Sequence, residues 1–428
     1  AYMARHIHDS SSSVSISGEI APAATGGLIG SAGKVKLSNL TFTGSIDYDV
    51  LYSGNAIGGI AGGLDWSGAT ADNLANNGSI HVKKGEENTI DKTGLPSIGG
   101  IAGTVGGVET FSNCVNTGEL VIEENSGVAG GIFGSGNTGS KTSTITSCEN
   151  SGDISAPSCA GGIFASSGAG NYTTTQFLIE NCKNSGSICS RIAGGCSGNL
   201  ATAMSITIRG FENTGAIYSV PGAINNSGNY SYAGGIAAIL WASPKGGGGD
   251  VGPGSFMENC TNRGKVTSTG CGYAYVGGLA GKLESATGST TTLPVSMTHC
   301  YNYGDVEASV TVDGCVGGLA GRSYNGPVID SCYNGGSVSL NMETRPETNN
   351  SCLGGLVGSL ERNASVKNSY MLEGSVTANE NVGYVGGLIG HSSNGGEIKS
   401  CYWYGGALSG GERIGGIAAA YGQTERLM

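Results

Sequence analysis

Apolar and polar residues alternate along short runs such as Met257-Glu258-Asn259-Cys260-Thr261-Asn262, and turn residues bound each run. That period of two predicts short strands with one buried face. A second element breaks the rule. Pairs of glycines are flanked on both sides by apolar residues, as at Ile57 and Ile60, Val276 and Leu279, and Leu353 and Leu356. The two flanking positions have opposite parity, so simple alternation fails across the pair, and a bulge or bend there is expected. Helix formers are scarce and 80 of 428 residues are glycine, which argues against stacked helices.

Both elements repeat. The Gly-Gly pair starts at Gly26, Gly58, Gly99, Gly130, Gly161, Gly194, Gly234, Gly277, Gly317, Gly354, Gly386 and Gly415, about 35 residues apart. Between these pairs lies a strand closed by a glycine, from Gly18 and Gly44 through Gly304 to Gly374 and Gly405. Two residues after that glycine comes an apolar position, running from Ile20 and Ile46 through Val376 to the weaker Ala407. A unit this short cannot bury its own apolar face, but stacking on its neighbours can. The prediction is an all-β parallel β-helix, or β-solenoid, of about twelve coils with roughly 35 residues per coil. At about 4.8 Å per stacked strand the rod would be roughly 55–60 Å long.

Columns follow from that stacking. Two residues before the closing glycine stands Asn76, Asn116, Asn150, Asn184, Asn213, Asn262, Asn302 and Asn334 in eight consecutive units. Inward amides at one corner of every coil can bond to those above and below, so a continuous asparagine ladder is predicted. The end units place Ile16, Phe42 and Trp403 there instead. The Asn-x-Gly glycine is expected to supply a positive φ at the corner. Four residues before it is a slot holding cysteine in seven units and Val14, Leu40, Leu74 or Phe211 in others; unit eleven has an extra residue, leaving Ser369 or Tyr370. The bland reading is a column of buried thiols, with disulfides between neighbours such as Cys148 and Cys182 or Cys300 and Cys332 as the alternative. Cys159, Cys315 and Cys352 share a second slot, two before Gly-Gly. A column spreads ligands along a line, so metal binding is not expected.

Residues 1–13 read as a polar N-terminal flank and 14–428 as one solenoid domain, with a Pro/Gly-rich loop insertion at 244–254. Bare solenoid ends would expose strand edges, so the chain is expected to be part of a longer protein. Only 12% of residues are charged and the net charge is −11, without a basic cluster. Nucleic acid is therefore not an expected partner. No apolar run is long enough to span a membrane as a helix.

Fourteen of the eighteen tyrosines follow residue 216. Tyr301, Tyr303, Tyr333, Tyr402 and Tyr404 occupy outward positions beside the asparagine column, with Tyr370 as a sixth candidate. Stacking would arrange them as an aromatic stripe suited to sugar rings or a protein partner. The competing reading is that tyrosine simply pairs well across strands. Glu119, Asp153 and Asp305 share one slot, but they are sparse, and the five histidines are scattered. No catalytic constellation, nucleotide loop or calcium repeat emerges, so neither an enzyme nor a cofactor is expected.

The segments Gly277-Gly278-Leu279-Ala280-Gly281, Gly354-Gly355-Leu356-Val357-Gly358 and Gly386-Gly387-Leu388-Ile389-Gly390 resemble the GLUG motif family. The preceding strand, as in Cys300-Tyr301-Asn302-Tyr303-Gly304-Asp305-Val306, resembles it too. The resemblance covers nearly the whole chain. It implies a secreted or surface-attached bacterial protein, as in adhesin-like proteins of Bacteroidetes, binding a glycan or a host or matrix protein. The alternatives are an accessory subunit of an outer-membrane surface complex, with an envelope protein as partner, and a β-helical polysaccharide lyase or hydrolase.

Overall fold

In the computed structural model every regular element among the described residues is a strand, and every strand pairing among them is parallel and joins one coil to the next. The structure describes all residues except 1–4, 22, 51–53, 66–67, 84–95, 124–125, 138–141, 168–175, 200–204, 222–229, 243–252, 286–291, 423–425 and 428. Most of the 244–254 insertion therefore lies outside the described residues. Three sheets run the length of the molecule. Sheet A carries the strand of the asparagine column, sheet B begins after the closing glycine and ends at Gly-Gly, and sheet C begins after Gly-Gly. Sheet C has 12 strands, one per coil, which gives the twelve coils. The chain is a parallel β-helix. Among the described residues no helix is long and apolar enough to cross a membrane.

The asparagine ladder is continuous. Asn76 donates through Nδ2 to Oδ1 of Asn116 at 2.7 Å, and the same bond links Asn116 to Asn150, Asn150 to Asn184 and Asn184 to Asn213 at 2.7 Å. It continues from Asn213 to Asn262, Asn302 and Asn334 at 2.8 Å. The second amide hydrogen reaches the closing glycine carbonyl two residues on, as from Asn184 to Gly186 at 2.8 Å. All eight residues are buried, so the ladder satisfies polar groups that water cannot reach. Phe42 ends it on one side, and Met371 then Trp403 on the other.

Glycine at the corners has a different cause from the one predicted. Gly78, Gly118 and Gly264 do not adopt positive φ. A Cβ on any of them would instead overlap the carbonyl oxygen of the closing glycine one coil earlier. The left-handed residue stands immediately before the cysteine slot: Asp9, Asn39, Asn73, Asn113, Ser147, Asn181, Gly210, Asn259, His299, Ser331, Asn368 and Ser400, with φ between 49° and 62°. Asparagine dominates because its short polar side chain tolerates that region best among non-glycine residues. This kink divides most sheet A strands into two short pieces, such as Ser143–Thr146 and Glu149–Asn150. The thiol that follows donates back across the kink, as from Cys182 Sγ to the Glu180 carbonyl at 3.4 Å. Ser369 does the same through its hydroxyl to Lys367 at 2.8 Å, so the slot in unit eleven is Ser369, and Tyr370 faces outward. All thirteen cysteines are free thiols. Burial pushes Cys159 up to about 12.

The ends of the repeat are displaced from the sequence register. Ile16 pairs with Ile46 and Ile20 with Val50, while Ser12 pairs with Phe42. The first unit is thus shifted by four residues, Val14 is exposed, and Arg5–Ser12 is a sheet A strand rather than a flank. A shift of four keeps the same residues facing the same side, so alternation could not detect it, and the adopted register pairs strand 5–12 with Val35–Phe42. In unit twelve Leu408, not Ala407, aligns with Val376. An extra residue separates the ladder position from that strand in units eleven and twelve.

Candidate binding surfaces

At Gly-Gly the chain turns from sheet B into sheet C, so the predicted bend is a corner between sheets. Along the ladder the second glycine of the pair lies against it: a Cβ on Gly59, Gly131 or Gly278 would overlap the amide of Asn76, Asn150 or Asn302. Just before the corner, sheet B places one column on the face opposite the core: Ala56, Ser97, Val128, Cys159, Ile192, Tyr232, Tyr275, Cys315, Cys352 and Tyr384 are aligned coil by coil. Sheet C contributes an outward column that includes Lys282, Arg322, Ser359 and His391. Side chains from the two outward columns meet. Arg322 donates to the Tyr275 hydroxyl at 3.2 Å, and the Tyr384 and His391 rings are 4.9 Å apart. Outward groups can converge only where the corner is re-entrant. A cleft therefore runs between sheets B and C, outside the main core.

In the middle coils this cleft is closed by a small apolar cluster of Val128, Cys159, Ala165, Ile192 and Ala238, separate from the main core. Farther along it becomes polar and aromatic. Arg322 forms a two-pronged pair with Glu361, with Nε and Nη2 each 2.9 Å from a carboxylate oxygen. Burial would raise the Glu361 carboxyl, but the bonds from Arg322 and Ser359 outweigh it and hold it below the usual range. Arg322 also stacks on Tyr324 at 4.5 Å. Lys282 and Glu284 are paired at 2.5 Å. Burial raises the Asp313 carboxyl against the opposing pull of the Gly314 N–H and Arg322, and burial lowers the His391 imidazole against the opposing pull of Glu361. Cys315 and Cys352 bring their sulfurs to 3.6 Å at this corner.

The tyrosines singled out from sequence lie on sheet A. Tyr301, Tyr333, Tyr370 and Tyr402 share one column in consecutive coils. Tyr303 and Tyr404 share the column two residues on, too far apart along the rod to touch each other. The rings of Tyr303 and Tyr333 are 5.4 Å apart, those of Tyr333 and Tyr370 5.1 Å, and those of Tyr370 and Tyr402 5.0 Å and parallel. Arg263 covers the Tyr303 ring at 4.7 Å and closes the upper end. Tyr303, Tyr402 and Tyr404 are 45%, 53% and 72% exposed, whereas Tyr301, Tyr333 and Tyr370 are half-buried. In earlier coils the same column holds Val115, Glu149, Lys183, Glu212 and Thr261.

Other candidates are accounted for locally. Asp153 and Asp305 each accept a backbone N–H from the next coil, at Ser187 and Ser337, at 2.8 and 2.9 Å. His6, His8 and His81 bond to Ser38, Asp9 and Glu123 respectively, and His299 occupies the left-handed position of its coil. Among the described residues no group of three or more His, Cys, Asp or Glu side chains converges as a metal site would require. The B–C cleft escaped the sequence reading, although its signal was present in the parity break at Gly-Gly and in the slot shared by Cys159, Cys315 and Cys352. The chain matches no protein-family model, no curated protein and no solved structure.

Proposed function

We propose that this chain is a non-catalytic rod, secreted or displayed at a bacterial cell surface, that binds a glycan or a host or matrix protein through its tyrosine stripe. The observation that carries the reading is the unbroken series of rings Tyr303, Tyr333, Tyr370 and Tyr402 on a solvent face. Tyrosine presents large apolar area with a polar tip at low conformational cost, which is why it anchors interfaces. Fold stability alone does not demand it, since Glu149, Lys183 and Glu212 fill the same column elsewhere. The GLUG resemblance supports the surface setting, and a stiff rod suits display.

The test is a binding array of glycans and matrix proteins probed with the whole chain and with Tyr303→Ala/Tyr404→Ala. A ligand bound by the native chain and held roughly tenfold more weakly by the variant is expected, equivalent to about 1.4 kcal/mol. Equal binding by both removes the stripe from the account. Loss of a co-purifying envelope protein, with no array signal, would favour the accessory-subunit reading instead.

A further inference from the structure

We propose that the re-entrant corner between sheets B and C, over coils seven to eleven, is a second and separate binding site whose ligand is a neutral saccharide chain lying along the rod. The argument begins with a comparison the repeat itself provides. The same two columns are filled in coils two to six by Ala56, Ser97, Val128, Cys159 and Ile192 on one arm and by Gly63, Thr104, Ser135, Ser166 and Asn199 on the other. Small and aliphatic residues therefore suffice to build the corner. From coil seven the two arms carry, coil by coil, Tyr232 and Ile239, Tyr275 and Lys282, Cys315 and Arg322, Cys352 and Ser359, and Tyr384 and His391, so that rings and cations enter in coils seven, eight, nine and eleven. The fold does not require that change of chemistry.

The character of the lining selects the ligand class. The Tyr230 ring lies 4.9–6.5 Å from those of Tyr232, Tyr273 and Tyr275, and Tyr232 lies 5.6 Å from Tyr275, forming a partly exposed platform. Tyr324, joined to Tyr275 through Arg322, and Tyr384, three coils beyond Tyr275, add rings farther along. Trp241, on the sheet C arm beside it, buries an indole N–H with no partner among the described residues. Interleaved with the rings are polar groups already held in place: the Arg322–Glu361 pair, Lys282 with Glu284, and Asp313. A sugar offers an apolar C–H face to a ring and hydroxyls at its rim that both donate and accept. Prearranged cation–carboxylate pairs meet such hydroxyls with little further loss of freedom. A polyanion is disfavoured, because Lys282 and Arg322 each have a carboxylate beside them, Arg362 and Arg413 are laid over the Tyr324 and Tyr384 rings at 4.9 Å, and the chain carries a net charge of −11. An apolar peptide would leave those paired charges buried without compensation. The columns repeat once per coil, so successive sugars along one chain would meet successive rungs.

The experiment is affinity electrophoresis of the full chain in native gels containing a neutral polysaccharide (a β-glucan, a xylan or a mannan in turn) or a polyuronate. Retarded migration is expected in at least one neutral polysaccharide. Tyr324→Ala and, separately, Tyr384→Ala should weaken that retardation roughly tenfold, while Tyr303→Ala/Tyr404→Ala leaves it unchanged. Both cleft residues are partly exposed, and an unchanged thermal midpoint for either variant shows that folding is intact. Retardation by no neutral polysaccharide, retardation only by the polyuronate, or full retention by both cleft variants overturns the proposal. Loss in the stripe variant alone would move the saccharide to sheet A, overturning the cleft while leaving the stripe in place.

Discussion

Gly278→Ala is expected to destabilise the rod by roughly 3–5 kcal/mol, enough to unfold the coils around it. The added Cβ would overlap both the Gly318 carbonyl oxygen and the Asn302 amide. Neither can yield cheaply. Gly318 is backbone of the next coil's corner, and Asn302 is fixed by bonds from Asn262 and to Gly304 and Asn334, each 2.8 Å. Gly30→Ala is the matched control: its nearest heavy atom, the Ala24 carbonyl oxygen, is 3.6 Å from the new Cβ. That substitution should change stability by no more than about 0.5 kcal/mol. Urea unfolding followed by circular dichroism reads both. Similar midpoints for the two variants would mean that the second glycine of the pair is not set by contact with the ladder.

Asn184→Ala should cost about 2–4 kcal/mol, because it strands several partners at once rather than removing one bond. Asn150 loses its acceptor, Asn213 loses its donor, and the Gly186 carbonyl loses its cap, all away from water. The sharper signature is in the double variant. Asn184→Ala/Asn213→Ala should cost less than the sum of the two single substitutions, since the bond they share is lost only once. Strict additivity would make each asparagine an independent corner residue and deny that the ladder acts as a unit.

Much of this architecture was legible because the repeat averages over twelve copies. The eight ladder asparagines, the parallel stacking and the tyrosine column follow from residues that recur at fixed offsets, and the structure aligns them in those columns. Legibility failed where a pattern is blind to a physical variable. Alternation cannot distinguish a register from one shifted by four, so it puts Val14 and Ile16 in slots that Ser10 and Ser12 fill. The corner glycines were visible, but whether glycine answers to φ or to crowding is decided by the neighbouring coil, which lies some 35 residues away in sequence. The left-handed column escaped because aspartate, asparagine, serine, histidine and glycine share it, and only their common tolerance of that backbone region unites them. The B–C cleft needed the sign of one angle. Gly-Gly announced a change of direction, but a convex turn would have separated Tyr275 from Arg322, whereas the re-entrant one joins them.

The central claim is that amide stands on amide through eight consecutive coils, and hydrogen exchange of the asparagine side chains tests it most directly. In protein carrying ¹⁵N only at asparagine, the Nδ2 hydrogens of Asn150, Asn184, Asn213 and Asn262 should exchange only through large-scale opening of the rod. Exchange of those four amides at the rate of an exposed side chain such as Asn39 would contradict it, leaving a stack of coils with no polar spine.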